Sequence, residues 1–106
     1  MPDKNERGAL TEAVYYILLS LIKPMHGYGI MQNTAEMSAG RVVLGPGTLY
    51  GAINTLTEKG WIRALPGEKN ARKKEYKITE SGMKVLQGEI ERLRELVLHG
   101  EEVFKA

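Results

Sequence analysis

The stretch Gly45-Pro46-Gly47-Thr48-Leu49-Tyr50-Gly51-Ala52-Ile53-Asn54-Thr55-Leu56-Thr57-Glu58-Lys59-Gly60 decides the reading of this chain. Pro46 suits the first turn of a helix, where its missing N–H would have no partner anyway. Gly60 suits the position just past the end, where the backbone turns left-handed. At about 100° per residue, Leu49, Ile53 and Leu56 share one face, with Ala52 beside them. Gly47, Gly51, Asn54 and Glu58 lie opposite, flanked by Thr48, Tyr50 and Thr55. The first face belongs to a core. The second is neutral and rich in short hydrogen-bonding groups, which is unusual for a surface helix.

Upstream, Leu10, Ala13, Val14, Ile17, Leu18 and Leu21 recur at intervals of three and four. This spacing predicts a helix that starts after Thr11, a side-chain cap, and stops before Pro24. Tyr15, Tyr16 and Leu19 widen its apolar surface, so it needs cover on more than one side. A second helix is predicted from about residue 28 to 37, with Ile30, Met31, Thr34 and Met37 inward and Ser38-Ala39-Gly40 ending it. His26 reads as a cap or packing residue of that helix. Arg41-Val42-Val43-Leu44 is β-prone and long enough for a minor strand.

Downstream, Trp61-Ile62-Arg63-Ala64-Leu65 and Lys74-Glu75-Tyr76-Lys77-Ile78 read as two strands joined by a turn-rich tip. Trp61 anchors this hairpin to the core. Thr79 caps a last helix, predicted to run from residue 80 to about 99 and to stop at Gly100. Within it Met83, Leu86, Ile90, Leu93 and Val97 alternate at three and four, a seam of the kind that packs on another helix. Gly88 inside the seam weakens the helix, by roughly 1 kcal/mol relative to alanine.

Composition narrows the function. A chain of 106 residues holds one compact domain plus an appended element. With no cysteine there are no disulfides or thiolate metal sites, and His26 and His99 are too far apart in sequence to build a zinc site between them. The longest apolar run is far shorter than a membrane span, and no secretion signal is legible, so a cytoplasmic protein is expected. No nucleophile with its base, paired carboxylates or phosphate-cradling loop can be assembled, so no enzyme, metal or cofactor is expected. Charge is unevenly spread: residues 1–40 carry a net −1, residues 41–77 a net +5, and residues 78–106 a net −2. The positive middle is the segment that can meet a polyanion.

Helix, helix, helix, hairpin, with a basic hairpin beside a polar helix, is the order of a winged helix-turn-helix, an α+β and mostly helical fold. In such a domain the polar helix enters the major groove and the hairpin, or wing, holds phosphates. Asn54 is suited to a bidentate contact with adenine, and Thr48 and Thr55 to base edges or phosphates. Tyr50 is placed for a phosphate oxygen, and Gly51 lets the backbone approach the groove wall. Lys69, Arg72, Lys73 and Lys74 crowd the wing. Leu10, Val14 and Ile17 on the first helix, with Leu86, Ile90, Leu93 and Val97 on the last, are the expected interface with a second copy. The boundaries expected are a flexible arm at 1–9, a DNA-binding domain at 10–79, a dimerisation helix at 80–99 and a tail at 100–106. A winged-helix module that binds a protein is the alternative from another class, and a steep salt dependence of binding to duplex DNA discriminates between the two. RNA binding is disfavoured because the hairpin offers no aromatic stacking platform.

Four blocks also carry a resemblance. His26-Gly27-Tyr28-Gly29-Ile30, Pro46-Gly47-Thr48-Leu49-Tyr50, Leu56-Thr57-Glu58-Lys59-Gly60-Trp61-Ile62 and the run from Arg72 to Gly82 stand in one collinear order. Together they resemble the PadR family of transcription regulators over residues 10–98. The resemblance implies a dimeric repressor with a C-terminal dimerisation helix, here in the short form with one long helix. It also implies a small-molecule effector, since some members respond to phenolic acids or planar drugs near the dimer interface. The last helix carries no aromatic residue before Phe104 for such a drug to stack on.

Overall fold

A computed structural model describes residues 8–67 and 73–106. The elements run α1 (Glu12–Ser20), β1 (Met25–His26), α2 (Gly27–Met37), α3 (Pro46–Glu58), β2 (Ile62–Ala64), β3 (Glu75–Ile78) and α4 (Glu80–Lys105). This is a winged helix with a long last helix. Caps set the helix starts as the sequence predicts. The Thr11 hydroxyl accepts from the Val14 amide at 3.1 Å, and the Thr79 hydroxyl accepts from the Gly82 amide at 3.0 Å. His26 Nδ1 accepts from the Gly29 amide at 3.1 Å, which makes it the N-cap of α2. Gly60 ends α3 at a φ of 77°.

One core joins every element. Ile17, Leu18 and Leu21 of the first helical segment meet Ile30, then Leu49, Ile53 and Leu56 of α3, then Ile62 and Ile78 of the sheet, and finally Val85 and Leu86 of α4. Thr34 is fully buried with them, and its hydroxyl has no hydrogen-bond partner among the described residues. Met37, expected inward, is exposed at the last turn of α2.

Two expectations need correction. The sheet has a third strand, but it is β1, in the antiparallel order β1-β3-β2, and not the run at 41–44. Met25 pairs with Tyr76 and His26 with Glu75, so the free edge of β3 is already taken. In the 41–44 run the Val42 amide donates to the Ser38 hydroxyl at 2.9 Å and Leu44 tucks into the core. A side chain, not a neighbouring strand, satisfies that backbone. The second correction concerns α4, which passes through Gly100 without interruption and continues to Lys105. An internal glycine weakens a helix without breaking it.

The wing pairs Ile62 with Ile78, Arg63 with Lys77 and Ala64 with Tyr76, and the Leu65 amide donates to the Glu75 carbonyl at 2.8 Å. The Trp61 amide donates to the Leu56 carbonyl, the Thr79 amide donates to the Trp61 carbonyl and the Thr79 hydroxyl to the Gly60 carbonyl. These bonds tie the end of α3, the base of the wing and the start of α4 into one knot, so the wing and α3 hold a set relation. Among the described residues no helix is long and apolar enough to cross a membrane.

Candidate nucleic-acid interface

Because α3 buries Leu49, Ile53 and Leu56, its opposite face is turned out by construction, and Thr48, Gly51, Asn54 and Thr55 are all exposed. Gly45 caps the helix without a side-chain hydrogen bond. The first-turn amides therefore lack a side-chain acceptor at the end of the helix where the dipole favours an anion.

Tyr50 sits differently from the sequence reading. It is half-buried and packs against the core, and its hydroxyl lies so close to Gly27 that any Cβ there would collide with it. This contact locks the start of α2 to the first half of α3, and it explains the glycine that follows His26. Tyr50 thus sets the angle between the paired helices, in addition to whatever its hydroxyl can offer a ligand.

Between the second half of α3 and the wing lies a cleft of about 380 Å³ lined by Ile53, Asn54, Thr57, Glu58, Ala64, Lys74 and Tyr76. It brings Asn54 and Lys74 together, two of the residues singled out in the sequence. Lys73 is exposed at the start of the return strand, and Arg63 is exposed on β2. Lys69 and Arg72 lie outside the described residues. Sequence reasoning missed Tyr76 here, reading it only as an apolar strand position. Burial first, and then the nearby Tyr50, hold its phenol above the ordinary pKa, so it remains a neutral hydrogen-bond donor at physiological pH. Lys77 points elsewhere, donating to the Ile22 carbonyl at 3.2 Å.

The residues expected at an interface between copies divide into two sets. Ile17 and Leu86 are buried within the chain's own core and leave almost no surface for a second copy. Leu10, Val14, Ile90 and Leu93 are half-buried, and Val97 is 59% exposed. A shallow groove of about 510 Å³ runs along α4 here, lined by Tyr15, Ile90, Leu93, Arg94, Val97, Leu98 and Glu101. Its aromatic wall, Tyr15, comes from α1 and was not legible as such. Glu89 was missed as well. It is 6% exposed and accepts from the Leu10 amide at 3.2 Å and from Arg92 Nε at 2.9 Å. Nothing in its spacing distinguishes it from the solvated glutamates beside it.

The profile of the transcriptional regulator PadR-like family matches residues 16–88, from α1 into α4. The chain belongs to that family. That family is one of transcriptional regulators, and the fold is a winged helix. An uncharacterized 37.1 kDa protein in transposon TN4556 of Streptomyces fradiae is 38% identical to it over 66 residues, which are 62% of this chain and 18% of that protein. The match thus spans under a fifth of that relative's length. Among solved structures, a transcriptional regulator from Clostridium thermocellum is similar over 97% of both chains, with a TM-score of 0.63 and 25% identity. A PadR family transcriptional regulator from Eggerthella lenta is similar in fold, with a TM-score of 0.67 and 23% identity over 86% of this chain and 79% of that one.

Proposed function

We propose that this PadR-like regulator is a cytoplasmic homodimeric repressor that binds an inverted-repeat operator through α3 and the wing. The observation that carries the proposal is the cleft in which Asn54, on the neutral outward face of α3, lies beside Lys74 of the wing. A groove reader needs both parts: side chains that address base edges, and a cation fixed at the distance of the flanking phosphates. In this reading Thr48, Asn54 and Thr55 address bases and Lys73 and Lys74 hold phosphates. Lys69 and Arg72 extend the wing's charge. One recognition helix per subunit requires half-sites roughly 34 Å apart, or a multiple of that.

The second copy is assigned to the apolar surface formed by Leu10 just ahead of α1, Val14 of α1, and Ile90, Leu93 and Val97 of α4. A small apolar effector would enter the groove walled by Tyr15 and α4, and by moving α4 change the spacing of the two recognition helices. The binding affinity for the protein's own promoter and for a scrambled duplex, measured across salt concentration, tests the proposal. Salt-sensitive binding that prefers the promoter is expected; equal, weak binding to both would replace operator recognition with a protein partner.

A further inference from the structure

The middle strand of the sheet carries a hydroxyl that the core does not use. On β3, Ile78 faces Ile62 and both are buried. Two residues outward on the same face, Tyr76 stands opposite the exposed Ala64. Its ring is half-buried against the core and lines the cleft with Ile53, Asn54 and Thr57 of α3. A phenylalanine would serve that packing equally well.

Tyr50 repeats the pattern from the other side. Tyr50, Asn54 and Thr57 follow at four and three, so they share one flank of α3, and the last two meet Tyr76 in the cleft. Tyr50 is near enough to Tyr76 to help raise its pKa. Among the described residues neither hydroxyl makes a hydrogen bond, whereas Ser20 and Asn33, also beside the core, are bonded to each other. Tyrosine rings packed this deeply ordinarily give their hydroxyls a partner. Here both donors converge on the seam between α3 and the wing. Lys74 lines the cleft as well, which favours an acceptor carrying negative charge. The cleft's one carboxylate, Glu58, is eight residues along α3 from Tyr50, about 12 Å, so it stands apart from the Tyr50 end.

We infer that the Tyr76 and Tyr50 hydroxyls together donate to one phosphodiester group of duplex DNA, where its backbone crosses the seam between α3 and β3. This rests on the operator-binding reading above and adds an uncharged contact to the charged ones of Lys73 and Lys74. The two kinds of contact differ in what they fix. A lysine on its flexible stem holds a phosphate over a range of positions. Two phenols on rings set by the core hold it at one, and Tyr50 is further locked by Gly27. The pair thus sets the register of α3 in the groove without reading a base.

An uncharged donor has its own signature. Cations that neutralise phosphates release counterions and so set the salt slope, whereas a hydroxyl releases none. Tyr76→Phe, Tyr50→Phe and the double variant are titrated with the promoter fragment and a scrambled duplex across salt concentration, and the free proteins are melted. Each single variant should bind both duplexes on the order of tenfold more weakly, with the salt slope unchanged. Each should melt no lower than the wild type, because the ring stays and an unpartnered hydroxyl goes. The double variant should lose less than the product of the two single losses, since both hydroxyls serve one phosphate. Unchanged binding by Tyr76→Phe would overturn the inference and leave the operator reading standing. A lowered melting temperature would assign the hydroxyls to folding instead, a flattened slope would overturn the uncharged contact, and losses that multiply would overturn the shared phosphate. Wild-type protein that binds neither duplex would overturn the operator reading and this inference with it.

Discussion

At Gly82 a methyl group would be driven into the carbonyl of Trp61 and against Ile78, at the knot where α4 leaves the wing. The Trp61 carbonyl is held there by the Thr79 amide at 2.9 Å, so it has no room to retreat. Gly82→Ala should destabilise the fold by about 1–3 kcal/mol in chemical denaturation. Gly51 is the opposite case, since a Cβ there would meet nothing within 4 Å. Gly51→Ala should stabilise the protein by about 1 kcal/mol through helix propensity alone. On the proposed function it should nevertheless weaken DNA binding, because the added methyl would stand between α3 and the groove wall. A variant that is both more stable and binds equally well would remove that role. Asn54→Ala should relax discrimination at one base pair by about 1–3 kcal/mol while leaving random DNA unaffected. Titration against operators altered one position at a time reads this out.

At the scale of elements, the wing and α4 each combine two jobs. Replacing Lys73 and Lys74 with alanine should weaken binding to all sequences alike, and the salt slope should flatten by roughly one unit for each phosphate no longer neutralised. The hairpin itself should survive, because Ile62 and Ile78 hold it to the core from the other face. In α4 the first half is part of the domain and the second half is not. Glu89 sits at the boundary and fastens α4 to the chain just ahead of α1 through the Leu10 amide. Glu89→Ala takes the acceptor from a part-buried amide and from Arg92, and should destabilise by about 1–3 kcal/mol. Glu89→Gln keeps an oxygen for the amide, so it should lose less in the same thermal melts. The run at 41–44 shows how neighbours override propensity: its valines and leucine favour a strand, but Ser38 and an occupied sheet edge left that preference no partner.

For the whole molecule, the uncovered half of α4 and the exposed face of α3 are two surfaces that the core does not explain, and they lie on different elements. Leu93→Asp places a charge in the apolar groove, so it should yield monomers that stay folded, since Leu93 is only half-buried. Sedimentation with circular dichroism separates that outcome from unfolding. The helix starts, the two strands of the wing and the core face of α3 were legible along the chain because they depend on local periodicity and on Pro46, Gly60, Thr11 and Thr79. The polar face of α3 was legible for the same reason, being the complement of Leu49, Ile53 and Leu56. What periodicity could not supply was the use of each apolar position across distance. Leu86 and Val97 belong to one seam, yet the first is buried by its own chain and the second stands free, because α1 is too short to cover all of α4. Likewise Tyr50 against Gly27, Met25-His26 on the edge of β3, Tyr15 on the groove and Glu89 beneath Leu10 are contacts between residues far apart in sequence. Sequence determined which faces had to be hidden and which could be polar; only the packing of the helices against one another decided which neighbour hides each face.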